Sequence, residues 1–111
     1  MNKRQRKGSS KDELWIGLAQ VEELGAADVL RGADGAYTNA IAIAVSRTDF
    51  RAKVKEALAE LELRLVRLEN AETLRTRLLT HSIAPELSNV AEEVIKTRLV
   101  GFGTFHSFAA K

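Results

Sequence analysis

The chain has 111 residues, of which 45% are hydrophobic and 29% charged, and its formal net charge is +2. This length fits a single domain that can bury one core without a metal ion or a disulfide. The chain has no cysteine, which excludes disulfides, thiolate catalysis and cysteine-ligated zinc or iron–sulfur sites within it.

Residues 1–11 form a basic segment that holds no acid and five bases: Lys3, Arg4, Arg6, Lys7 and Lys11. The other 12 bases and 15 acids give residues 12–111 a net charge of −3, so this segment alone makes the chain basic. Its Lys, Arg, Gln, Gly and Ser content predicts a disordered tail, because little apolar area offsets the entropy of ordering. Neither a signal-peptide run nor a stretch of about 20 apolar residues is present, so we expect a cytoplasmic protein.

Residues 14–21 predict a first strand, and Trp15 is the only tryptophan of the chain. Both faces of this strand carry apolar residues, which indicates that part of it is covered on both sides. A long connection with Gly25, Gly32 and Gly35 follows. Its glycines fit neither of the common phosphate-binding spacings, so we interpret them as turn residues.

Residues 37–69 change their hydrophobic period twice, which predicts a β-α-β unit. Residues 37–45 alternate large and small side chains, as a strand does. Ser46 and Asp49 then have the S-x-x-D spacing of a capping box, which predicts the start of a helix. The apolar residues of that helix recur at helical spacing from Phe50 onward.

An extended run over residues 63–68 predicts a third strand, and we expect the chain to turn at Asn70. Leucines at helical spacing predict a helix within residues 71–79, which Pro85 separates from the next element. Ser88 is the predicted N-cap of a second main helix. Residues 100–108 alternate again and predict a terminal strand.

The order β-β-α-β-α-β predicts an α+β domain over residues 12–111. We expect a four-stranded mixed or antiparallel sheet with the two main helices on one face, as a sandwich of the ferredoxin-like type. The predicted core residues are Ile41, Ile43, Phe50, Val54, Leu58, Leu65, Val94 and Ile95. The aromatic residues cannot all face two short helices, so we expect a homodimer or a protein partner on the open sheet face or an edge strand.

The chain has few residues in patterns typical of catalytic or metal-binding sites. Its two histidines lie far apart and outside any metal-binding spacing, so we expect no metal and no cofactor. His81 is expected to be exposed, and His106 is the one candidate for acid–base work. Tyr37, Asn39, Thr104 and His106 would line a polar binding patch if the second and last strands are neighbours. Trp15 completes the set of candidate binding residues.

Three function classes remain open. The preferred one is a non-catalytic protein-binding module of a small cytoplasmic bacterial-type protein, such as an inhibitor, an immunity protein or a regulator. The second is a nucleic-acid-binding protein that uses the basic tail, with Trp15, Tyr37 or Phe102 stacking on bases. The third is a small ligand-binding protein or enzyme that uses His106 and Tyr37.

The string VGFGTF, residues 100–105, is similar to a strand of the bacterial histone-like HU family. In that family two helices precede the string and a long DNA-binding arm follows it. Here two β-α units precede it and the terminal strand ends a few residues later. We therefore assign the chain to no family on this resemblance.

Overall fold

A computed structural model of the chain describes residues 12–25 and 30–108, and the predicted basic tail lies outside these ranges. The elements, in chain order, are β1 (Glu13–Glu23), β2 (Gly35–Ala44), α1 (Arg47–Glu60), β3 (Leu63–Thr73), α2 (Leu74–Thr80), α3 (Pro85–Thr97), β4 (Gly101–Phe102) and β5 (His106–Phe108). They form a compact α+β fold, which confirms the predicted class. No helix within the described ranges is long and apolar enough to cross a membrane.

The sheet has the order β3-β1-β2-β4, and β5 also pairs with β2 beyond β4. Every neighbouring pair is antiparallel. It follows that β2 and β3 run in the same direction and are separated by β1, with α1 connecting them. The ferredoxin-like strand order that the sequence favoured is not confirmed.

Helices cover both faces of the sheet, so the prediction that they share one face is wrong. Ala40 and Ala42 of β2 belong to one buried cluster with Phe50 of α1, whereas Ile41 belongs to a second cluster with Val94 of α3. Successive strand residues point to opposite faces, so these two clusters lie on opposite sides of β2. We call the two sides the α1 face and the α3 face.

α1 begins as the capping box predicted. The Ser46 side chain accepts a hydrogen bond from the Asp49 N–H at 3.0 Å, and the Asp49 carboxylate accepts one from the Val45 N–H at 3.0 Å. These bonds satisfy donors that a helix start leaves free. The hydrogen bond from Val45 is the main cause that lowers the pKa of Asp49, and the nearby Lys53 ammonium lowers it further.

Six of the eight predicted core residues are buried: Ile41, Phe50, Val54, Leu58, Leu65 and Val94. Ile43 is half-buried on the α3 face. Ile95 is 56% exposed, so its assignment to the core is wrong. The buried residues of α3 are Ala91 and Val94, and Ile95 points away from the sheet beside them.

The expected turn at Asn70 is also wrong, because β3 continues through it to Thr73. Asn70 has a φ of 56° and lies at a β-bulge where the register with β1 shifts between Ile16 and Leu18. Asparagine tolerates this left-handed backbone better than most residues do, which explains why the same residue type marks both turns and bulges. The helix predicted within residues 71–79 starts later, at Leu74, with Thr73 as its N-cap.

Two boundaries at the end of the chain differ from the prediction. Pro85 is in the first turn of α3, where its missing N–H costs nothing, so it starts the helix that was expected to begin after Ser88. The terminal strand is divided into β4 and β5 by residues 103–105. Both parts pair with β2, so the second and last strands are neighbours, as the predicted patch requires.

Candidate functional site

The predicted polar patch forms in part on the α3 face. Tyr37 pairs directly with His106 across β2 and β5, and the Tyr37 ring lies 5.3 Å from the Phe108 ring. His106 is exposed. Thr104 donates from its N–H and from its hydroxyl to the Glu86 carboxylate, at 2.7 and 2.6 Å. These contacts tie the terminal segment to α3, and the patch has an exposed imidazole without a contacting carboxylate among the described residues.

Asn39, the remaining member of that patch, lines a separate cleft of about 630 Å³ between the α3 face and the α2–α3 connection. The cleft is lined by Leu18, Asn39, Arg47, Asn70, Ala71, Glu72, Arg77, His81, Ser82, Ile83, Ala84 and Leu87. His106 is not among these residues. The imidazole and the cleft therefore do not converge as a ligand-binding or enzyme site based on His106 would require.

The guanidinium groups in the cleft are already engaged. Arg77 forms an ion pair with Glu72 and donates to the Asn70 carbonyl oxygen at 2.9 Å. Arg47 donates to the Ala71 carbonyl oxygen at 3.2 Å. Both side chains thus hold backbone carbonyls of β3. His81 is exposed, as expected, and its Nδ1 lies 2.7 Å from the Thr80 hydroxyl.

Two candidate base-stacking residues lie on the α1 face, packed against its core. The Trp15 ring is stacked on the Phe50 ring with centroids 6.1 Å apart, and the Phe102 ring contacts Phe105 at 5.8 Å. This packing covers part of each ring, and both side chains are half-buried. The five bases of the tail, Lys3 to Lys11, lie outside the described residues.

The edge of the sheet at β4 is open, and an edge strand is one of the two contact surfaces that the sequence led us to expect. Gly103 donates its N–H to the Asn39 carbonyl at 2.9 Å and accepts at its carbonyl from the Thr38 hydroxyl at 3.1 Å, so its backbone points toward β2. Backbone direction alternates along an antiparallel strand, so the N–H and C=O of Phe102 point away from β2. No described strand pairs with β4 on that side.

Two grooves flank this edge, one on each side of the sheet. The α1 groove, of about 410 Å³, is lined by Lys53, Glu56, Ala57, Glu60, Leu61, Arg98, Leu99, Val100 and Phe102. The α3 groove, of about 370 Å³, is lined by Asn89, Val90, Glu93, Val94, Thr97, Leu99, Val100, Gly101 and Phe102. Leu99, 69% exposed, borders both. Apolar side chains of the 99–102 segment therefore line both sides of an open strand edge.

Gly101 allows α3 to pack closely against β4. A Cβ atom at this position would lie 2.6 Å from a Val90 methyl group and 2.9 Å from a Val94 methyl group. Both distances are below ordinary contact, so only glycine lets α3 approach β4 this closely. The close approach places α3 as one wall of the α3 groove.

The opposite edge of the sheet, at β3, is built differently. β3 carries four charged residues, and its register with β1 shifts twice. Arg64 pairs with Glu22, and Arg67 pairs with Glu69 at 3.1 Å. Charged side chains and bulges are the usual means by which sheet edges resist pairing with another strand.

A sequence signal for the β4 edge does exist. Residues 99–105 contain no charged side chain in a chain that is 29% charged, and residues 100–103 alternate large and small. This run is an edge because β4 pairs with β2 on one side only. That pairing belongs to the tertiary structure and cannot be read from the run itself.

In comparisons with protein-family models, with curated proteins and with solved structures, no match to this chain was found. Within the described part of the chain, no cluster of three or more potential metal ligands occurs. The geometry of the site is therefore the basis for a functional proposal.

Proposed function

We propose that this chain is a non-catalytic protein-binding module that binds an extended segment of another protein along the β4 edge. The segment adds a strand to the sheet next to β4. Such strand addition draws affinity from main-chain hydrogen bonds and specificity from pockets for alternate side chains. The expected partner segment has consecutive apolar residues, which point to the two faces of the sheet in turn.

The observation that carries the proposal is the combination of an open edge with a groove on each face. Side chains of an added strand alternate between the two faces. Its apolar residues would enter the α1 groove and the α3 groove in turn, while its backbone pairs with the outward N–H and C=O of Phe102. Few other surfaces of a small domain offer both kinds of contact to one short segment.

The nucleic-acid alternative has less support on the described surface. Two arginines of the β3 edge, Arg64 and Arg67, each pair with a glutamate. Paired charges contribute little net attraction for phosphate. The basic tail still fits this alternative, and salt-dependent retention on heparin that is lost on deleting residues 1–11 would favour it.

The experiment uses a phage-displayed library of ten-residue peptides selected against the full chain. Peptides with consecutive apolar residues should be enriched. The variant Leu99→Asp places a charge at the junction of both grooves and should weaken binding of the selected peptides at least tenfold. Leu79→Asp is the matched control, because Leu79, on α2, is also a highly exposed leucine, 79% against 69% for Leu99.

The proposal would be contradicted if Leu99→Asp and Leu79→Asp weakened peptide binding equally. It would also be contradicted if neither substitution changed the binding of the selected peptides. The homodimer expected from the sequence competes for the same edge. Sedimentation equilibrium of the free protein at micromolar concentration separates these occupants. A monomer favours a separate protein partner, and a dimer abolished by Leu99→Asp identifies a second copy of the chain at β4.

A further inference from the structure

We infer that the partner segment carries lysine or arginine residues beside its apolar positions, an inference that rests on the proposed function. The rim of the two grooves has acids on both sides of the β4 edge. Glu56 and Glu60 of α1 line the α1 groove, and Glu93 of α3 lines the α3 groove. An added strand would thus pass between carboxylates on both faces of the sheet.

The bases of the same rim are engaged within the chain. The Lys53 ammonium pairs with Asp49 at 3.3 Å and donates to the Ile43 carbonyl at 2.9 Å. The Arg98 guanidinium lies 3.6 Å from the Asp12 carboxylate. Among the described residues, none pairs with Glu56, Glu60 or Glu93. The uncompensated charge at the grooves is therefore negative.

Electrostatic complementarity of this kind selects partners and speeds their encounter more than it adds to affinity. An acidic partner would meet repulsion on both faces at once, whereas a basic one would be attracted on both. The grooves supply the apolar contact, and the acids discriminate among apolar strands. The inferred partner is thus an extended segment with consecutive apolar residues and bases beside them.

The test uses the peptides selected from the same library. Lys and Arg should be enriched next to the apolar positions, and binding should weaken as salt is raised. Glu93→Lys should weaken binding of the basic peptides by about three- to tenfold at low salt, because it replaces an attraction by a repulsion at an exposed site. Glu56→Lys with Glu60→Lys should act in the same direction from the other face.

Glu92→Lys is the matched control, since it makes the same charge change on the same helix at an exposed residue outside the α3 groove lining. It should change binding less than twofold. All of these glutamates are exposed, and a thermal melt of each variant confirms that it is folded. Equal effects of Glu92→Lys and Glu93→Lys would overturn the inference.

Two results separate this inference from the proposed function. If Leu99→Asp weakens peptide binding but salt and Glu93→Lys leave it unchanged, the inference is overturned and the proposed docking at β4 stands. Binding that does not depend on Leu99 would overturn the docking edge itself. A chain without residues 1–11 that binds the same peptides several-fold more tightly would identify the chain's own basic segment as the occupant and overturn the inference of a partner segment.

Discussion

The two edges of the sheet differ in how readily another strand could pair with them. At β3, charged residues alternate with apolar ones, two register shifts distort the strand, and arginine side chains occupy the carbonyls of Asn70 and Ala71. At β4, the 99–105 run has no charge, and apolar grooves lie on both sides. Unprotected edges are a hazard that natural proteins usually remove. A fold that protects one edge fully and leaves the other open thus points to use of the open one.

The largest effect on stability is expected in α1, the helix that packs on the strands between the two edges. α1 packs against β2 and β3 through Phe50, Val54 and Leu58, all fully buried. Leu58→Ala should lower the free energy of unfolding by about 2–5 kcal/mol, because it leaves a cavity under the strands that lead to both edges. Urea denaturation measures this. A change below about half a kilocalorie per mole would mean that Leu58 does not hold the sheet as described.

A second variant removes the protection of β3 and so tests the contrast directly. Replacing Arg64, Arg67 and Glu69 by threonine deletes three of the four charges of β3 and keeps residues that favour strands. The cost in stability should be about 1 kcal/mol, because exposed ion pairs contribute little. The variant should self-associate through β3, which sedimentation velocity would detect.

Adding Leu99→Asp to that variant sharpens the same test. The substitution lies at the other edge and should leave the new association unchanged. If the triple threonine variant sediments like the wild-type chain, charge is not what protects β3, and the bulges alone suffice.

The smallest effect concerns the N-terminal turn of α1, the helix that forms one wall of the α1 groove. The pKa of Asp49 lies below its ordinary value of 3.8, mainly because its carboxylate accepts from the Val45 N–H. A lowered folded-state pKa means that the charged form stabilises the fold above that ordinary value, and that this contribution disappears as pH falls through the folded-state pKa. Asp49→Asn should therefore cost about 0.5 kcal/mol near neutral pH.

The measurement is urea denaturation of both proteins across the acidic range. The difference between them should vanish once Asp49 of the wild type is protonated. A difference that persists at the acid end would assign the effect to the side-chain shape of aspartate rather than to its charge.

The central β-α-β unit could be predicted because its signals are local. The alternation in β2, the Ser46–Asp49 cap and the helical spacing of Phe50, Val54 and Leu58 are all set by neighbours in the sequence. The face that α3 covers could not be predicted in the same way. β2 has apolar residues on both sides, and a period of two does not say which helix packs on which side.

The predictions at Asn70 and Pro85 were wrong for a different reason. Both residue types have more than one structural use: asparagine with a positive φ occurs in turns and in bulges, and proline both ends helices and starts them. Tertiary context chooses between the uses. An edge-strand contact was expected, but the strand could not be identified from the sequence, because an uncharged run such as residues 99–105 becomes an edge only through its pairing with β2.

The central place of β1 has a consequence for the order in which the chain can fold. β1 pairs with β2 close in sequence, from Val21 with Ala36 outward, but its pairing with β3 joins Trp15 to Thr73. Pairings between distant residues form late, because loop closure has a larger entropic cost. A nascent β1–β2 hairpin therefore exposes the apolar β1 flank until α1 brings β3 into place, and during synthesis that flank is open to misassembly.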